Sequence, residues 1–150
     1  MPVGEVMFVT ASDGVKLATH VEGSGPPLYA LHGGPMNDHR TFGGYLDPSG
    51  EYRTLHLLDQ RGCGDSGEAP ADTYTLARLA EDVQDRRLGH ERIDLFGHSY
   101  GGLIALRYAL PLARPRADVN HCWLSRSRPE WRPRLAESVW PVGPRKSPLA

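Results

Sequence analysis

Cysteine is scarce in this chain: Cys63 and Cys122 are the only two in 150 residues. Two thiols cannot frame a disulfide scaffold, and no Cys-x-x-Cys pair exists for zinc. A reducing, cytoplasmic setting is therefore the expected one. An excess of one charge is also missing, since 17 Lys and Arg stand against 18 Asp and Glu for a net of −1. That balance excludes the basic character expected of a nucleic-acid binder. No apolar run approaches the about 18 residues that a membrane helix needs. The start, Met1-Pro2-Val3-Gly4-Glu5, lacks the basic and apolar regions of a secretory leader. No pair of histidines has metal-ligand spacing, so neither a metal nor a cofactor is expected.

The near-neutral total hides an asymmetry. Residues 1–110 hold 9 basic and 15 acidic residues, whereas residues 111–150 hold 8 and 3. The same last 40 residues carry 7 of the 13 prolines and all three tryptophans, Trp123, Trp131 and Trp140. Proline fixes φ and removes a backbone donor, so long helices and central strands are difficult there. The chain divides into an ordered part, 1–110, and a Pro/Arg/Trp-rich tail, 111–150, expected to be largely disordered. The abrupt change after Leu110 is read as a change of frame, with the tail out of frame with the part before it.

Within 1–110 the pattern alternates. Val6 to Thr10 and Val15 to Val21 are β-rich and joined through Asp13-Gly14, a hairpin signal. Leu28–Leu31 and Tyr52–Leu58 read as strands, with a short helical segment around Thr41–Leu46 between them. A helix is expected from Thr73 to Leu88, because Leu76, Leu79, Ala80 and Val83 fall on one face. Asp72 or Thr73 would cap it, and Gly89 would stop it. Ile93–Phe96 reads as a strand and Leu103–Leu110 as a buried helix. Alternating strands and helices imply an α/β fold, mainly a parallel sheet with helices on both faces and an antiparallel hairpin at the start.

The chemistry concentrates in two turns. Gly97-His98-Ser99-Tyr100-Gly101 is a G-x-S-x-G between a predicted strand and a predicted helix, the context of a nucleophile elbow. A serine on so tight a turn takes up strained angles and projects Oγ clear of the sheet, and small neighbours relieve the crowding. Ser99 is the candidate nucleophile. The amide of Tyr100, at the helix start, is one candidate oxyanion donor. His32-Gly33-Gly34-Pro35 follows an earlier strand, where the second donor is expected. Pro35 has no N–H, so the Gly34 amide is preferred, with Gly33 as the alternative; His32 and Gly33 support the loop. Gly62-Cys63-Gly64-Asp65-Ser66-Gly67 also matches the dinucleotide fingerprint G-x-G-x-x-G. It neither follows its strand directly nor opens a helix, so it is set aside. His20 and His56 lie on strands and are expected to be structural; His39 and His90 are expected to be solvated. His98 and Cys63 are read as packing residues.

Taken in order, His32-Gly33-Gly34-Pro35, Leu57-Leu58-Asp59-Gln60-Arg61-Gly62-Cys63-Gly64-Asp65-Ser66 and Gly97-His98-Ser99-Tyr100-Gly101-Gly102 resemble the α/β-hydrolase superfamily. Within it, the first two elements are most similar to the proline iminopeptidase branch, an aminopeptidase group. The resemblance covers about residues 5–110. It implies Ser99 as nucleophile, the loop after Leu31 as oxyanion wall, and Asp59 and Arg61 as structural braces. It also implies a small-molecule or peptide substrate.

An activated serine needs a histidine base oriented by an acid, and the order here should be Ser, then Asp or Glu, then His. After Leu110 the chain holds His121, Asp118, Glu130 and Glu137. Asp118 precedes His121 by too little sequence to form the usual pair, so the triad acid and base are not identifiable and the fold is expected to be truncated. Two readings stand. One is a serine hydrolase of low activity acting on an ester, amide, lactone or peptide bond. The other is a non-catalytic half-fold serving as a scaffold or binding module.

Overall fold

The computed structural model describes residues 4–34, 36–110, 116–125 and 140–141. Among the described residues seven strands form one sheet: β1 (Glu5–Thr10), β2 (Lys16–Gly23), β3 (Pro27–Leu31), β4 (Thr54–Leu58), β5 (Ile93–His98), β6 (Val119–Ser125) and the two-residue β7 (Trp140–Pro141). Their spatial order is β1-β2-β4-β3-β5-β6-β7. Strands β4, β3, β5 and β6 run parallel, while β1 and β2 extend the sheet in antiparallel fashion. The hairpin turns at Gly14, whose φ of 92° suits glycine, with Gly14 N–H donating to the Ala11 carbonyl at 2.8 Å.

Burial follows sheet position. In β3 and β4 the last four residues are all buried, as in a strand covered on both faces. Edge strand β1 leaves Val6 and Phe8 half exposed, with the Lys16 ammonium over the Phe8 ring. One face packs Tyr29, Leu31, Leu58, Ile93, Leu95 and Val119 against helices α1 (Leu76–Asp85) and α2 (Tyr100–Ala109). Emptying a position such as Leu95 in that core would cost about 2–5 kcal/mol. The other face packs Leu28, Ala30, Leu55 and Leu57 under Phe42 and Leu46. These come from or adjoin short 3₁₀ turns, His39–Phe42 and Asp47–Glu51. Among the described residues, both α-helices thus lie on the first face, and 3₁₀ turns cover the second.

Several boundaries differ from the sequence reading. The segment around Thr41–Leu46 is not an α-helix; Thr41 and Phe42 close a 3₁₀ turn that starts at His39, and Gly43, at φ 51°, ends it. Helix α1 starts at Leu76 rather than Thr73. Its cap is Thr75, whose hydroxyl accepts from Arg78 N–H at 3.2 Å, while Ala71–Thr73 forms a separate 3₁₀ turn. Helix α2 begins at Tyr100, three residues early, because the turn at Ser99 feeds it directly.

The largest correction concerns the tail. Val119–Ser125 is not disordered: it pairs in parallel with β5 from Ile93 to His98, and Val119 and Cys122 are buried. Its prolines lie outside this stretch, so nothing blocks the ladder. The rest of the expectation for 111–150 falls mostly on residues outside those described.

Candidate active site

Strand β5 carries the chain to His98, and Tyr100 already belongs to α2. Ser99, between them, sits at φ 51° and ψ −116°. That is a sparsely populated conformation for a residue with a side chain, and it persists only where packing enforces it. The enforcement is visible at the glycines. A Cβ on Gly97 would stand 2.5 Å from the Gly101 carbonyl oxygen, and one on Gly101 would stand 2.1 Å from the Leu31 carbonyl oxygen. Small residues on either side of Ser99 are therefore a steric requirement.

The same close approach brings the end of β3 onto the elbow. A Cβ on Gly33 would meet Ser99 Cβ at 3.0 Å and His98 Cδ2 at 2.9 Å. Gly34 follows with φ 66°, a value that favours glycine. Asn37 Nδ2 donates to the Gly33 carbonyl at 2.9 Å and fixes the loop from behind. His32 is buried. Its Nδ1–H lies 3.3 Å from the Gly33 carbonyl, and its Nε2 accepts from Gln60 N–H at 3.1 Å. Burial holds its pKa below the ordinary value, so the ring is a neutral strut. The loop containing Gly33 and Gly34 and the turn containing Ser99 and Tyr100 therefore meet at the carboxyl ends of neighbouring parallel strands, where open α/β sheets place their ligands.

Behind the loop stands a polar brace. The Asp59 carboxylate is buried and accepts from His39 N–H at 2.8 Å and Asp65 N–H at 2.9 Å. Arg61 reaches Asp82 through two bonds of 2.7 Å and Asp13 through one of 2.8 Å. These carboxylates raise the pKa of its guanidinium. Arg86, fully buried, donates to the carbonyls of Asp82, Ala18 and Asp59. Burial pulls its pKa down to about 10, and it remains a cation near neutrality. The glycine-rich segment after Arg61 is tied to β2, with Gly67 N–H donating to the Lys16 carbonyl at 2.7 Å. It opens no helix, which removes the dinucleotide reading.

Two histidines depart from expectation. His39 is not solvated: its ring stacks on His20 with centroids 3.4 Å apart, and its Nδ1 bonds Asp59. The Asp38 cap fixes the turn that aims it inward. His90 is half-buried, with Nδ1 2.8 Å from the Tyr29 hydroxyl, because buried Tyr29 needs partners. The approach of His20 to His39 was not readable from spacing, since the two lie on different elements.

Among the described residues no histidine is positioned as the base. Asp118 pairs with Arg87 and Arg116. His121 Nδ1 instead bonds Asp94 at 3.0 Å, and Arg53 bonds the same carboxylate at 2.5 Å. His121 is opposite Asp94 while Ser125 is opposite His98. At roughly 3.3 Å per residue, His121 lies about 13 Å down the strand from the elbow.

Comparison with known proteins agrees with the fold. The α/β hydrolase fold family matches residues 26–136. A proline iminopeptidase of Saccharolobus solfataricus is 40% identical over 95 residues, which are 60% of this chain and 30% of that protein. A soluble epoxide hydrolase of Corynebacterium sp. is 31% identical over 99 residues, 65% of this chain and 34% of that one. A solved structure of novel epoxide hydrolases from hot-environment metagenomes superposes with a TM-score of 0.71 at 28% identity. It covers 84% of this chain and 43% of its own. The chain belongs to the α/β hydrolase fold family. It spans about a third of the length of these curated relatives. The family match continues past Leu110, so the resemblance ends later than the sequence reading placed it. No helix among the described residues is long and apolar enough to cross a membrane.

Proposed function

We propose that this chain carries the nucleophile and oxyanion wall of a serine hydrolase acting on an ester or amide. Ser99 Oγ attacks the acyl carbon, and the amides of Gly34 and Tyr100 receive the charge that develops on the carbonyl oxygen. The observation that carries the reading is the strained backbone of Ser99, held between strand and helix and pressed against Gly33. An N-terminal-proline peptide bond is among the candidate substrates, by likeness to the iminopeptidases. Epoxides fit less well. Attack by a serine oxygen on an epoxide would leave an alkyl ether, which does not hydrolyse, whereas attack on an acyl carbon leaves an ester that water can cleave.

Turnover is slow in this reading, because no base among the described residues reaches Ser99. Loss of triad partners costs several orders of magnitude while leaving the oxyanion contribution. The test is hydrolysis of a p-nitrophenyl ester and a prolyl anilide. Slow turnover that disappears in Ser99→Ala supports the reading, and turnover unchanged in that variant contradicts it. The engagement of His121 by Asp94 favours a second reading, a non-catalytic module that binds a ligand at the same cleft.

A further inference from the structure

The residues behind the oxyanion loop form a constellation that nucleophilic catalysis does not use. His20 on β2, His39 at the start of a 3₁₀ turn, and Asp59 and Asp65 in the loop after β4 bring four side chains together. One ligand atom from each lies within 4.8 Å of all the others. His20 Nε2 is 3.2 Å from Asp59 Oδ2 and 3.1 Å from Asp65 Oδ2. His39 Nδ1 is 2.9 Å from Asp59 Oδ1. We propose that His20, His39, Asp59 and Asp65 form a binding site for a divalent late first-row metal ion, zinc by preference.

Three observations carry this. The first is donor chemistry: two imidazoles and two carboxylates suit zinc and its neighbours rather than magnesium or calcium. Ligand bonds of about 2.0–2.1 Å in a tetrahedron separate the ligands by roughly 3.3 Å, and the contacts that tie these side chains together lie close to that. The second is charge. The Asp59 side chain is fully buried, and among the described residues only His20 and His39 form ion pairs with it. The Arg86 guanidinium bonds the Asp59 main-chain carbonyl and not its carboxylate. Asp65, half exposed, pairs with His20. One divalent ion balances both carboxylates.

The third observation is support around the ligands. The backbone N–H groups of His39 and Asp65 hold the two oxygens of Asp59 in place, as outer partners of metal ligands do. Binding turns the stacked rings so that their lone pairs converge, and each ring keeps its proton on the nitrogen facing away. The ion would clamp the loop after β4 to the segment leading out of the oxyanion loop. It would act as a brace and not as a reactant.

The test is titration of the intact chain with Co²⁺, read by visible absorption, followed by displacement with Zn²⁺. The expected result is one equivalent bound, with the intense bands of a four-coordinate ion, and a higher melting temperature in Zn²⁺. Asp65→Asn, at the exposed rim, should weaken binding while the fold persists. His20→Gln and His39→Gln should weaken it more than the about 10- to 100-fold typical of losing an outer partner. Far-ultraviolet circular dichroism checks that each variant is folded. Absence of cobalt bands at stoichiometric metal overturns the proposal, as does binding that is unchanged in folded Asp65→Asn and His20→Gln. None of these readouts depends on Ser99, so failure here leaves the hydrolase reading standing.

Discussion

Gly33 lies directly against Ser99, with room for a hydrogen but not for a methyl group: a Cβ there would stand 3.0 Å from Ser99 Cβ. The two residues come from the loop after β3 and the turn after β5, and their contact sets one against the other. Gly101 makes the companion contact, backbone to backbone, with Leu31. Gly33→Ala is expected to cost about 1 kcal/mol, since its neighbours need move only a few tenths of an ångström. A Cβ on Gly33 also meets a carbonyl oxygen, that of His98, but at 3.0 Å, whereas on Gly101 the Leu31 and His32 carbonyl oxygens would stand at 2.1 and 2.5 Å, so Gly101→Ala should cost about 3 kcal/mol or more. Urea unfolding of the two variants measures the ranking, and equal stabilities would show that the contact is softer than described.

A second prediction concerns acid. His56 is buried, and its ring is stacked on Tyr29 with centroids 4.4 Å apart. Among the described residues neither ring nitrogen has a hydrogen-bond partner. Burial is the main cause that pushes its pKa from 6.5 down to about 4. The unfolded chain therefore binds a proton here that the folded chain does not, so stability falls as pH drops from about 6.5 to about 4. The full loss from this group is about 3 kcal/mol. His32, depressed by burial in the same direction, adds to it. His56→Phe keeps the stacking and removes the titration. Its stability should change less than the parent's between those pH values in a urea series. An unchanged slope would mean that His56 is not the group responsible.

What was legible from sequence was what is local. The turn at Ser99 declares itself because glycines two residues to either side are a steric demand of that turn, and because the strand before and helix after are both apolar. The loop with Gly33 and Gly34 was legible for the same reason, through its strand and its glycines. The start of α1 was misplaced because Asp72, Thr73 and Thr75 all cap helices well, and only the 3₁₀ turn at Ala71–Thr73 decides among them. Strand β6 was missed because the prolines around it dominated the reading. The seven residues from Val119 to Ser125 are themselves proline-free, and their place depends on pairing with β5. The His20–His39 stack was invisible for a related reason: register between β2 and β4, and the inward turn after Asp38, bring distant residues together without a spacing signature.

The most direct test of the account is covalent. A fluorophosphonate probe reports a serine that is exposed, correctly angled and faced by oxyanion donors. With the folded chain in excess probe, mass spectrometry of the digested protein should show one adduct on the peptide containing Ser99. It should form slowly, because no base among the described residues reaches Ser99, and be absent in Ser99→Ala. Folded protein that takes up no probe, or an adduct that survives Ser99→Ala, would contradict the assignment of Ser99 as the nucleophile.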